Sequence, residues 1–112
     1  MPSSESPSQT QGLRYDAGKN QLDLIPPEWI EGLGQVLTMG ANKYEPRNWE
    51  KGMKWGKVFG PLMRHAMKFW RGEQKDEESD LHHMLHVAWN ALALYSYDLH
   101  EVGDDDRGKL GA

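Results

Sequence analysis

Residues 76–100, DEESDLHHMLHVAWNALALYSYDLH, are the longest stretch of helical periodicity in the chain, and they hold four of its five histidines. At about 100° per residue, Leu81, Leu85, Ala88, Leu92 and Tyr95 fall on one stripe, the signature of a helix that buries one face. His83, His86 and Asn90 lie nearly opposite, flanked by Val87, Trp89, Ala93 and Leu94. The whole segment is therefore read as one helix, apolar around most of its circumference and largely buried. A polar stripe on a buried helix needs partners, because an unpaired polar group removed from water costs free energy. Other side chains, water, a metal ion or a ligand would all serve, and a solvated face or histidines bonded within the core would give the same pattern. Two imidazoles at i and i+3 can share one cation.

A chain of 112 residues has room for one core. Five tryptophans on so few helices suggest a core completed across an interface, so a homo-oligomer is expected. There is no cysteine, which excludes a disulfide framework and a thiolate zinc site. No apolar run approaches the roughly 18 residues of a membrane span, and MPSSESPSQT lacks the regions of a secretory signal. These features predict a cytoplasmic protein without a membrane partner. A net charge of −4 argues against binding a nucleic-acid backbone, which needs a basic footprint. A small anionic ligand is compatible with it, since a pocket needs only local positive charge.

Residues 1–11 are almost all Ser, Pro, Gln, Thr and Glu and read as a disordered tail. A helical domain is predicted over 12–102, followed by a flexible acidic tail over 103–112. Arg14, Asp16 and Lys19 surround Gly18 in a turn-rich segment, either an ordinary surface turn or a basic arm over a phosphate. A first helix is expected from about Pro27 to Tyr44, with Ile30, Leu33, Leu37, Ala41 and Tyr44 on its apolar stripe. Glu28 and Glu31 on its other face have a spacing that can share a cation, or they answer the helix macrodipole. The loop that follows interleaves Lys43, Arg47, Lys51 and Lys54 with Trp49 and Trp55, which suits a base on an aromatic face with phosphates near cations. The same tryptophans would equally pin the loop to the core.

A second helix is predicted from about Gly56 to Arg71, with His65 on the face of Val58, Leu62 and Phe69. Pro61 is tolerable there only within the first turn or beside an irregularity. A short connection then returns the chain antiparallel. It carries Glu73, Asp76, Glu77, Glu78 and Asp80, with Asp76 or Ser79 as helix cap. Capping accounts for one or two of these acids, so a divalent cation beside the histidine stripe is the other reading. No P-loop, Rossmann glycine pattern or nucleophile elbow is present.

GLRYDAGKNQLDLIPPE, GANKYEPRNWEKGMKW, LMRHAMKFWRGE and DEESDLHHMLHVAWNALAL, in that order, resemble the phage-encoded family described as the N-terminal domain of dATP/dGTP diphosphohydrolases. The resemblance covers about residues 12–100. It implies a small all-helical domain related to MazG-like pyrophosphatases, which use divalent metal to release diphosphate or terminal phosphates from nucleoside triphosphates. Family motif positions fall on Arg14, Asp16 and Lys19, on Lys43, Tyr44, Asn48 and Trp49, and on His65, Glu78, His83, His86 and Asn90. MazG-like enzymes typically hold magnesium through Glu-x-x-Glu and Glu-x-x-Asp motifs. Here Glu28 with Glu31 and Glu77 with Asp80, both near helix ends, are the candidates for that form, and the histidine-rich stripe departs from it.

The combined expectation is an all-α compact bundle of three main helices, with a purine nucleotide pocket between the His65 face and the His83, His86 and Asn90 face. The expected activity is metal-dependent hydrolysis of a purine deoxynucleoside triphosphate; the alternative is a protein that sequesters a nucleotide without hydrolysing it. Candidate catalytic residues are His65, Glu78, His83 and Asn90, with His83 or Glu78 as general base. Candidate nucleotide-binding residues are Arg14, Lys19, Lys43, Arg47, Asn48 and Trp49. Mg2+ or Mn2+ would be held by Asp76, Glu78, His83 and His86.

Overall fold

The computed structural model describes residues 11–108. The tail expected over 1–11 lies outside them except for its last residue. The described residues form three α-helices, α1 (Pro27–Lys43), α2 (Gly56–Trp70) and α3 (His83–His100), with 3-10 turns at Leu22–Leu24 and Asn48–Lys51. Among them there is no strand, only two isolated bridges, and no helix long and apolar enough to cross a membrane.

Local chemistry sets the helix ends. Pro27 opens α1, where its fixed φ suits the helix and its missing N–H would have had no partner. Glu28 in the first turn and Lys43 in the last complement the macrodipole. The start of α2 is capped from far along the chain, the Gly56 N–H donating to Asp106 Oδ1 at 2.8 Å. Pro61 lies inside α2 rather than in its first turn, which leaves the Lys57 carbonyl without its i+4 donor. At the start of α3, His82 Nδ1 accepts from the Met84 N–H at 3.0 Å.

The third helix begins later than its periodicity suggested. Residues 76–82 are a closed turn, because Asp76 Oδ2 accepts from both the Ser79 N–H and the Ser79 hydroxyl, each at 2.9 Å. A side chain that bonds the backbone three residues on offers the chain an alternative to helix. The Asp76 N–H donates to the Leu81 carbonyl and the His83 N–H to the Gln74 carbonyl, closing the turn. Asp76 and Ser79 thus cap this turn, not α3.

α2 and α3 run antiparallel and form the main packing unit. Trp55 and Val58 near the start of α2 pack with Ala93 and Tyr97 near the end of α3, while His65 and Phe69 meet His83 and His82 at the opposite end. Burial on α3 is the reverse of what apolar periodicity implies: His83, His86 and Asn90 are buried with Ala93 and Tyr97, whereas Leu92 and Tyr95 are exposed. α1 joins through Gly32, where an added Cβ would lie 2.4 Å from Leu85 Cδ2. Its buried seam is Gly32 and Val36. Of the stripe read from sequence, Ile30, Leu37 and Tyr44 face outward.

The segment after α3, expected to fray as a flexible tail, is docked as far as residue 107. The Trp55 N–H donates to the Asp104 carbonyl, the Asp104 N–H to the Met53 carbonyl, and Trp55 Nε1 to the Val102 carbonyl at 3.0 Å. Arg107 lies over the Trp55 ring. The crossing requires glycine: Gly103 has φ +82, and a Cβ there would sit 2.5 Å from the Met53 carbonyl oxygen. We expect Gly103→Ala to destabilise the fold by about 2 kcal/mol or more, combining left-handed strain with a backbone clash. Gly34→Ala, in an open helical position, should stabilise it by about 0.5–1 kcal/mol. Thermal melting of the two variants beside the parent checks both signs.

Candidate functional site

The site is built where the polar stripe of α3 meets His65 of α2 and the 73–82 connection folds over both. His65 Nδ1 and His83 Nδ1 are 2.8 Å apart, so one donates and the other accepts. His83 Nε2 lies 2.5 Å from Glu73 Oε2. An N–H directed at that carboxylate leaves His83 Nδ1 as the acceptor and His65 Nδ1 as the donor. His83 has no exposed surface at all, so its ring orientation is fixed by these two neighbours.

A parallel chain of bonds runs through the turn. Ser79 donates its hydroxyl proton to Asp76 Oδ2 and is 2.8 Å from His86 Nε2, where it accepts the imidazole N–H. The His86 ring stacks on His65, with centroids 4.3 Å apart and planes 7° from parallel. Asn90 is buried, and its amide donates to the His86 carbonyl at 2.7 Å. No buried side-chain nitrogen or oxygen among the described residues lacks a hydrogen-bond partner.

The electrostatics keep His65 and His86 neutral. Burial, reinforced by the neighbouring His86 and His83, pushes His65 down to about 4. His86 is lowered as well, by burial with a contribution from His83, while Asp76 pulls the other way. Burial pushes the Asp76 carboxyl up, but the two Ser79 hydrogen bonds and the nearby His65 and His86 outweigh it and hold it below the usual range. The centre therefore presents neutral nitrogen donors beside an ionised carboxylate.

This cluster forms the floor of an open groove of about 650 Å3. Its far wall is the end of α1 and the loop after it, with Lys43, Arg47, Asn48 and Trp49, and Lys57 and Trp89 line it too. Such a volume suits a small-molecule ligand. The cations at the rim are held by exposed pairs, Lys43 with Glu78 at 3.2 Å and Arg47 with Glu50 at 2.8 Å, and Lys43 also lies over the Tyr44 ring. Pairs of this kind contribute about 0–1 kcal/mol and exchange readily. Trp49 is half-buried and edge-on to Trp89 at 6.1 Å, and its carbonyl accepts the Tyr97 hydroxyl at 2.5 Å.

The structure thus brings His65, Asp76, Glu78, His86, Asn90, Lys43, Arg47, Asn48 and Trp49 to one groove, with His83 directly behind it. Arg14 and Lys19 are exposed and outside the groove lining. Glu28 and Glu31 are on the exposed surface of α1 and also outside it. Glu73 and Ser79 carry more of the site than sequence reasoning assigned them. The Asp76-x-x-Ser79 spacing of a side-chain-capped turn was the available signal for Ser79; nothing in the sequence marked Glu73 as the partner of His83 among five acids.

A family model described as dATP/dGTP diphosphohydrolase, N-terminal, matches residues 9–107. A dATP/dGTP diphosphohydrolase of Salmonella phage PMBT28 is 31% identical over 96 residues, covering 86% of this chain and 33% of that protein. The chain thus spans about a third of the length of that relative. No solved structure matches.

The lowered His65 and His86 predict acid sensitivity. Between the ordinary histidine value and about 4, the unfolded chain binds protons that folded His65 refuses, so stability rises with pH across that window. Unfolding followed by urea titration in chelator should show stability that is full above about pH 6.5 and falls towards about pH 4. His65→Gln should flatten that slope, and an unchanged slope would remove His65 as its source.

Proposed function

Because the chain belongs to the dATP/dGTP diphosphohydrolase N-terminal family, we propose that its groove binds a purine deoxynucleoside triphosphate and hydrolyses it to a lower phosphate. The observation that carries this reading is the groove itself, which joins rim cations and an indole wall to a floor of neutral imidazoles and an ionised carboxylate. Anionic phosphates and a planar base need the first two, and a water-attack step needs the third.

In this reading Lys43 and Arg47 leave their exposed carboxylate partners for the phosphate oxygens, with Asn48 alongside. Trp49 offers an aromatic face to the base. Releasing Lys43 frees the Glu78 carboxylate, which is 80% exposed and lines the groove. Glu78 then takes the proton of the attacking water, while the oxygen attacks phosphorus and the bond to the bridging oxygen breaks. Of the two general-base candidates only Glu78 has access, because His83 is fully buried with both ring nitrogens engaged. His65, Asp76 and His83 fit a divalent cation by donor type and proximity. Of the expected ions, Mn2+ bound there would neutralise phosphate charge and lower the pKa of bound water. Arg14 and Lys19 are assigned no role in the groove.

The chain also self-associates in this reading. The buried hydrophobic core of the described residues is small, Val36, Trp55, Val58, Ala93 and Tyr97, while Trp29, Ile30 and Leu37 of α1 and Leu92, Tyr95 and Leu99 of α3 are exposed. A second copy covering these faces supplies the core that one chain lacks. Sedimentation should give a mass above the 12.8 kDa of one chain; a strictly monomeric species at high concentration would overturn the association.

Hydrolysis is checked by incubating the protein with a nucleotide panel and divalent cation and separating products by chromatography. We expect dGTP or dATP to yield a lower phosphate. Glu78→Gln should reduce turnover by about 10²–10⁴-fold with little change in Tm, because its ion pair is exposed. Trp49→Ala should weaken binding by about 1–3 kcal/mol. Tight binding of one nucleotide with every nucleotide recovered intact would replace hydrolysis with sequestration.

A further inference from the structure

We infer that His65, His83 and Asp76, with Glu73 orienting His83, form a site selective for a first-row transition-metal ion over Mg2+. This deepens the proposed function by naming the class of ion and the residues that hold it, and it rests on that reading only for the use made of the ion.

Each of the three residues offers one ligand atom, and these atoms lie within 4.8 Å of one another. Two of the three donors are imidazole nitrogens. Mg2+ demands oxygen donors and gives up water reluctantly, whereas Zn2+ and the later first-row ions accept imidazole readily, with Mn2+ the weakest of the series. The two Nδ1 atoms face each other at 2.8 Å. A tetrahedral ion with metal–nitrogen distances of about 2.0–2.1 Å holds two nitrogens roughly 3.4 Å apart. The rings need to part by only about half an ångström to exchange a shared proton for a cation. His65 also lies at the junction of the two α2–α3 neighbours, His83 and the stacked His86.

The surroundings supply what a metal site needs beyond its ligands. Glu73 holds the Nε2–H of His83 at 2.5 Å, which leaves the Nδ1 lone pair directed at the site. A carboxylate behind a ligating histidine fixes tautomer and orientation in this way. Ser79 ties down Asp76 Oδ2. His65 and Asp76 line the groove, which gives an entry path from solvent. Packing alone accounts poorly for the arrangement, since an apolar contact between α2 and α3 would avoid the cost of burying His83 and His86.

Glu73 is a positioning residue, and Glu78 and His86, named with Asp76 and His83 as ligands on sequence grounds, lie outside the set. Glu78 is turned to Lys43 and His86 to Ser79.

The test is a titration of the chelator-treated protein with Co2+ in the absence of nucleotide, read by visible d–d absorption. A saturable band is expected at equimolar metal, undiminished by Mg2+ in large excess. His65→Gln should abolish it, and Glu73→Gln should weaken Co2+ binding by about 10–100-fold. Circular dichroism of each variant without metal confirms folding, and His65→Gln is preferred to a His83 variant because His65 is only partly buried. No band at millimolar Co2+, a band that survives in His65→Gln, or displacement by Mg2+ would each overturn the site. Because no nucleotide is present, such a failure is separate from a failure of hydrolysis, which the chromatographic assay reads with whichever cation supports it.

Discussion

The hydrogen bond between His65 and His83 is the interaction on which the rest of the arrangement depends. It joins α2 to α3 through polar groups where a helix pair ordinarily meets through apolar ones. Once these two rings are placed at the interface, each remaining polar atom must find a partner, because an orphan there costs about 1–3 kcal/mol. Glu73 answers His83, Ser79 answers His86 and Asp76 answers Ser79. The connection between the helices is therefore folded into a closed turn by the demands of the interface it spans, and α3 starts at His83 because Asp76 and Ser79 are bonded to each other instead of to a helix.

The three helices, the ends of α1 and α2, the last turn of α3 and its return alongside α2 were legible from periodicity, proline and turn chemistry, since those signals act locally. That the His83, His86 and Asn90 stripe faces His65 was legible too, but not that it is buried more deeply than the apolar stripe. Leu81, Leu85, Ala88, Leu92 and Tyr95 form the more apolar stripe, and hydrophobic periodicity assigns burial to it. Yet His83, His86 and Asn90 face α2, because the partner surface there offers His65 and the folded connection offers carboxylate and hydroxyl. Periodicity measures the cost of taking a group out of water and is blind to a partner that offsets it. The same limit hid the role of Glu73, whose importance lies in a contact 10 residues away.

The docked segment after α3 shows a second kind of blindness. Residues 103–107 are glycine and charged residues, which compositional reasoning assigns to solvent. They are held by backbone bonds to Met53 and Trp55 and by the cap that Asp106 gives to Gly56. Each bond depends on a long-range crossing that only glycine at 103 permits. Composition describes how a segment behaves alone; here its order is a property of the α2 N-terminus.

The groove combines two regimes of electrostatics. At its rim, Lys43 and Arg47 are paired with exposed carboxylates that water screens well, so little is lost when an anionic ligand takes their place. On its floor, the imidazoles are shielded and mutually constrained, and burial keeps His65 uncharged at neutral pH. A cationic floor would hold phosphate strongly in the ground state; a neutral one leaves the nitrogen lone pairs available. The fixed part of the site is thus its chemistry-bearing floor, and the exchangeable part is its charge at the rim, a division that allows a highly charged ligand to enter and leave without disturbing the geometry beneath it.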